Sequence, residues 1–173
     1  MARRVLVCSS AIALCFAVLV PTARAAPQQI PVMRIAVEQE ITAPPAAVWA
    51  KLTTGRNLVT WCPVWKSARN VAVRLTKVGD VLDYTDAWGH GGRSVVTFIA
   101  SGRELRVAHE PADGSYMCQS RFILTPQGGG TLVKYVEQYT DESSPTDRAA
   151  TAGKMDAALR GELVALKKAV EKK

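Results

Sequence analysis

Apolar positions recur with helical spacing most clearly at the end of the chain, where Ala152, Met155, Leu159, Leu163, Leu166 and Val170 follow one another at steps of three or four. That period marks one face of an α-helix. Its other face carries Lys154, Arg160, Lys167 and Lys168 with Asp156, Glu162 and Glu171 and is expected to be solvated. Ser144 is placed to cap the start, Pro145 suits the first turn, and Asp147 complements the positive end of the helix dipole. From Met33 the pattern is strict alternation, with Met33, Ile35, Val37, Gln39 and Ile41 on one side of a half-buried strand. Thr42, Pro44 and Pro45 then open a short helix with an apolar face of Val48, Trp49 and Leu52, Thr42 being the candidate cap. Gly55 breaks it, and a second short turn runs to Pro63. Six further strands are expected at 68–75, 81–88, 94–100, 104–110, 116–125 and 131–140, separated by turn sequences such as Val78-Gly79-Asp80 and Gly128-Gly129-Gly130. Connections this short imply antiparallel pairing, because parallel crossovers need a dozen residues or more. A long apolar stripe must lie on something, so the terminal helix is expected to pack across the sheet.

Composition changes this picture mainly at the N-terminus. The 173 residues are 48% hydrophobic and 21% charged, ordinary values for one globular domain. Residues 1–25, however, combine Arg3 and Arg4, an apolar run from Val5 to Val20, and Ala23 and Ala25 as small residues before a cleavage point. The run of roughly 16 residues falls short of the ~20 needed to span a bilayer, which favours a cleaved secretory signal over an anchor. A short Pro/Gln-rich leader, residues 26–33, would follow, then a domain at 34–173. The formal charge is +7, and it drops to about +4 without Arg3, Arg4 and Arg24. The remaining basic residues are dispersed, which argues against nucleic acid as a partner and allows peripheral contact with a membrane. Of four cysteines, Cys8 and Cys15 fall in the signal; Cys62 and Cys118 remain, either as a disulfide of an oxidising compartment or as free thiols. Sequence alone does not fix the oligomeric state.

Several segments together resemble the SRPBCC superfamily, which includes START-like, Bet v 1-like and polyketide cyclase/dehydrase-like proteins. They are Val37 to Thr53 with its Ala43-Pro44-Pro45 helix start, Leu58 to Pro63 with Trp61, Val78-Gly79-Asp80, and Leu124-Thr125-Pro126 running into Gly129-Gly130-Thr131. The resemblance implies an α+β helix-grip fold: a curved antiparallel sheet of about seven strands around a long C-terminal helix, two short helices after the first strand, and an enclosed cavity. It also implies a hydrophobic small molecule as partner, and fold alone does not choose among such roles.

In that fold Trp61, Trp65, Tyr84, Trp88, Phe98, Phe122, Tyr135 and Tyr139 are the aromatic candidates for a ligand site, with Met155 and Leu159 contributed by the terminal helix. His109 alternates with Leu105 and Val107 and should face inward with them, where an imidazole could orient a carbonyl or exchange protons. Glu137 shares a face with Val133, Tyr135 and Tyr139, although a carboxylate is cheaper to keep in water. His90, between glycines, is expected at an exposed turn. Two histidines without a zinc-type cysteine spacing give no argument for a metal, and no cofactor motif is present: Gly128 to Thr131 lacks the phosphate-loop spacing, and no serine sits in a nucleophile elbow. The reading that follows is an exported, non-catalytic protein holding a lipid, polyketide or aromatic compound. Its alternatives are a cyclase/dehydrase-like enzyme using His109, Tyr135 or Glu137, and an envelope interaction module whose cavity is filled by its own side chains.

Overall fold

The computed structural model describes residues 30–70, 73–114 and 117–172. The expected signal and the first residues of the leader lie outside them. The alternating segment forms β1 (Val32–Ile41), so the last two leader residues are already strand. Two short helices follow, α1 (Pro45–Thr53) and α2 (Gly55–Trp61). Then come β2 (Trp65–Ala68), β3 (Val81–Asp86), β4 (Gly91–Ala100), β5 (Glu104–Pro111), β6 (Cys118–Gln127) and β7 (Gly130–Thr140), and finally α3 (Pro145–Glu171). The seven strands make one curved antiparallel sheet in the order β1-β7-β6-β5-β4-β3-β2, with α3 lying against β1, α1 and α2. The helix-grip expectation is met.

Local differences have local causes. The strand expected at 68–75 is instead the short β2, which begins at Trp65 and carries an irregular register against β3. Arg74 makes only an isolated bridge to Thr54. The cap of α1 is Pro44, which offers no side-chain bond; the Thr42 amide donates to Glu171 Oε1 at 2.6 Å instead. Together with Lys167 Nζ donating to the Glu40 carbonyl at 2.9 Å, that bond fastens the end of α3 to the end of β1. At the other end of α3 the Asp147 amide donates to Ser144 Oγ at 3.2 Å, as the capping sequence predicts.

The apolar stripe of α3 is buried at Leu159, Leu163 and Leu166, which join Ile35, Val37 and Ile41 of β1 and Val48 and Leu52 of α1 in one core. The expected solvated face is interrupted by Glu162, only 7% exposed. One helical turn after Ala158 and Leu159, it sits on the edge of the stripe that faces the sheet, so its carboxyl goes inside with them.

Candidate functional site

The concave side of the sheet is not filled. Between α3 and strands β3 to β7 lies a cavity of about 480 Å³, within the ~300–1,000 Å³ typical of small-molecule sites. Trp65 and Tyr84 form one wall, Met155, Ala158 and Leu159 of α3 the roof, and Tyr135 and Tyr139 of β7 the opposite wall. Trp88 and His90 stand at the mouth, in the turn between β3 and β4, with Trp88 72% exposed. The ring centroids of Trp65 and Tyr84 are 5.0 Å apart, and each meets the His109 imidazole edge-on at 6.2 and 6.3 Å. Gly92 is needed here: a Cβ on it would fall 2.5 Å from the Tyr84 hydroxyl and 2.9 Å from the Glu110 carbonyl.

Strand register assembles the polar part of the wall. Ser94 of β4 pairs with His109 of β5, His109 with Cys118 of β6, and Ser120 of β6 with Glu137 of β7. Because side chains alternate across a strand, these partners all point to the concave face. Ser94 Oγ is 2.7 Å from His109 Nδ1, His109 Nε2 is 2.8 Å from Ser120 Oγ, and Ser120 Oγ donates to Glu137 Oε2 at 2.6 Å. Since the Ser120 proton goes to the carboxylate, Ser120 must accept from Nε2–H, which leaves Nδ1 to accept from Ser94. The Tyr135 hydroxyl, 3.2 Å from Ser120 Oγ, supplies its second donor. The chain therefore runs in one direction, Ser94 to His109 to Ser120 to Glu137. Burial lowers the His109 pKa, opposed by the Glu137 charge, and keeps the imidazole neutral. Burial likewise raises the Tyr135 hydroxyl well above its ordinary value, helped by Glu137 and Glu162.

Two more carboxyl and thiol groups complete the interior. Cys62 at the end of α2 donates its S–H to Glu162 Oε2 at 3.7 Å, and burial followed by the Glu137 charge pushes Glu162 up to about 8. Cys118 is turned to Glu137; burial, then that carboxylate, raises its thiol. The Tyr139 hydroxyl is buried with no hydrogen-bond partner among the described residues. At the mouth the His90 amide donates to Asp86 Oδ1 at 2.8 Å while its Nδ1 lies 3.1 Å from Oδ2. Burial raises Asp86, but these bonds and that of the Trp88 amide outweigh it and hold the carboxyl below its ordinary value.

Of the sequence candidates, Trp65, Tyr84, Trp88, His109, Tyr135, Tyr139, Met155 and Leu159 line the cavity. Trp61 and Phe122 do not. They border a separate 50 Å³ space under α1 and α2, where Trp61 Nε1 donates to the Lys51 carbonyl and Phe122 stacks on Tyr135 at 4.3 Å. Phe98 is on the convex face, 39% exposed under the Arg106 guanidinium, because a bulge between Val96 and Phe98 reverses the alternation of β4 and sends Ile99 inward. The disulfide alternative is corrected as well: Cys62 and Cys118 are free thiols facing different glutamates. Glu137, expected in water, is 4% exposed, since its register position carries it inside and Ser120 answers its charge. Ser94, Ser120, Cys118 and Glu162 were not singled out for the site. The only signal for the three strand residues was alternation with residues that were, and for Glu162 its place one turn after Leu159. A cavity of this size also removes the reading of an interior filled by its own side chains.

Residues 33–171 match a family described as polyketide cyclase / dehydrase and lipid transport. No curated protein matches the chain. Solved structures similar to it include MLL2253 of Mesorhizobium loti, at 19% identity and a TM-score of 0.64, covering 80% of this chain and 97% of that one. CalU16 of Micromonospora echinospora follows the same path at 16% identity and 0.59, covering 81% and 77%. DynU16, from the dynemicin biosynthetic locus, does so at 16% and 0.64 over 80% of this chain and 47% of its own. At these identities the likeness is one of fold.

Proposed function

The chain belongs to the polyketide cyclase/dehydrase and lipid transport family, and from that premise we propose that it is an exported protein that holds a hydrophobic or amphipathic small molecule, of lipid, polyketide or aromatic type, without transforming it. The observation that carries this reading is the 480 Å³ cavity, apolar over most of its lining and polar along one wall. An apolar body would lie between Trp65, Tyr84 and the underside of α3. An oxygen of the same molecule would accept from the Tyr139 hydroxyl, whose proton has no partner among the described residues. Trp88 at the mouth and Met117 beside Cys118 are exposed apolar side chains at which the protein could touch a membrane peripherally while loading. Export rests on the signal-like residues 1–25 and is checked by N-terminal sequencing of protein from an exporting host; a chain still beginning at Met1 would refute it.

Binding is tested with a fluorescent apolar probe. The expected result is one saturable site in the wild type and at least a tenfold loss of affinity in Leu159→Trp, which puts an indole where the cavity is (about 1.4 kcal/mol). Equal affinity in both proteins would sink the reading.

The Ser94–His109–Ser120–Glu137 chain favours a second reading, in which a bound carbonyl compound undergoes proton transfer at His109, Tyr135 or Glu137. Native mass spectrometry after extraction from the host identifies the bound compound. Conversion of that compound by the wild type, abolished in Glu137→Gln, would replace the first reading with this one.

A further inference from the structure

Three donor side chains from three neighbouring strands converge on the polar wall. An imidazole nitrogen of His109, the Sγ of Cys118 and a carboxylate oxygen of Glu137 all lie within 4.8 Å of one another. None of the ion pairs among the described residues reaches Glu137 or Glu162, although both are more than nine-tenths buried. The Ser120 hydroxyl is a neutral donor to Glu137, and a divalent ion would compensate the buried negative charge more fully. The geometry points to a divalent metal site of the borderline-soft kind that zinc exemplifies, formed by His109, Cys118 and Glu137, with its fourth position open to the cavity. This inference goes beyond the binding of an apolar compound and does not depend on it.

Ligand chemistry sets the class of ion. A thiolate with an imidazole selects zinc-like ions over magnesium or calcium, and three protein donors with one open position is the arrangement of reactive, as opposed to structural, zinc. Bonds of about 2.0–2.3 Å in tetrahedral geometry put donors roughly 3.3–3.8 Å apart, so the three side chains close in by at most ~1.5 Å, within reach of χ rotations of Cys118 and Glu137. Ser94 already holds Nδ1 at 2.7 Å. With Nε2 on the metal, Nδ1–H donates to Ser94 and fixes the ring, while the Ser120 hydroxyl turns away from Nε2. The Cys118 thiol gives up its proton to solvent as the S–metal bond forms. Thiolate and carboxylate then neutralise the divalent ion, which suits a buried site. The open position would take an oxygen of whatever occupies the cavity.

The test uses the full chain carrying Cys8→Ser and Cys15→Ser, so that Cys62 and Cys118 are its only thiols. Titration of the metal-free protein with zinc is expected to show one equivalent bound, and cobalt should give thiolate charge-transfer absorption with the intense visible bands of a four-coordinate ion. Cys118→Ser should abolish the charge-transfer absorption and weaken zinc binding by more than the ~10–100-fold that loss of an outer partner costs, Ser94→Ala should fall inside that range, and Cys62→Ser should change neither. Failure of the wild-type background to bind a stoichiometric ion, cobalt binding without the thiolate absorption, or absorption that follows Cys62 instead of Cys118 would each overturn the site. The first two readouts need no variant of the site and stand even if Cys118→Ser misfolds.

Discussion

The two ends of the space beneath α3 share one sheet and one helix yet end in opposite states. Under α1 and α2, Leu52, Leu58, Trp61, Leu75, Leu105 and Phe122 leave only about 50 Å³. Toward the mouth, where the lining includes Ala158, Thr151, Cys118 and Ser120, about 480 Å³ stays open. Backbone curvature is common to both, so side-chain volume decides which end is core and which is site. The polar chain lies on the partition, since Trp65, His109, Ser120, Tyr135 and Glu162 border both spaces. It has donors and acceptors enough to satisfy itself without water from the packed side.

The sharpest contrast is expected from shortening α3 at its two ends. Leu166 is fully buried, and Leu166→Ala should cost about 2–5 kcal/mol in urea denaturation, because a new void is added to the lost transfer energy. Glu162, raised to about 8 from 4.5, makes the partition sensitive to pH. The native state binds its proton more tightly than the unfolded chain does, so the contribution of Glu162 to stability is full below about pH 4.5 and is lost as pH rises toward 8. In metal-free protein, Glu162→Gln should remove most of that decline, an effect on the order of a few kcal/mol at the alkaline end. A wild-type stability curve flat across that range would remove Glu162 from the interior. Met155→Ala, at the open end, should cost only about 1 kcal/mol, since the space beside it already exists and no cavity is created. Smallest of all is Phe98→Ala on the convex face, which should cost about 0.5–1 kcal/mol through its contact with Arg106 and leave probe binding unchanged. A loss of probe binding there would mean that the bulge in β4 does not hold in solution.

The legibility of these residues followed distance along the chain. The alternation of β1, the punctuation of the hairpins and the capped amphipathic α3 were all readable, because each depends on neighbours within a few positions; the candidates that line the cavity were placed there by the fold that the family resemblance implied. Phe98 was misplaced because one bulge shifts every later residue of a strand to the other face, and a bulge leaves no reliable mark in a single sequence. Trp61 and Phe122 were assigned to the right interior but the wrong end of it. Glu137 was read as solvated on the sound ground that a bare buried carboxylate is costly, and Glu162 because it falls among the charged residues on the other face of α3. What makes their burial tolerable is the Ser120 hydroxyl, 17 positions from Glu137, and the Cys62 thiol, 100 positions from Glu162.

Apart from the strand misplaced at 68–75, the sequence by itself determined the order of strands and helices, and that a long helix must cover an antiparallel sheet. Periodicity and caps act within a few residues and are written in order along the chain. Only the tertiary structure decided that the helix covers an open space at one end and a packed one at the other, and that Ser94, His109, Cys118, Ser120 and Glu137 stand side by side. Those facts depend on strand register and on volume summed over distant side chains, quantities that no local pattern contains.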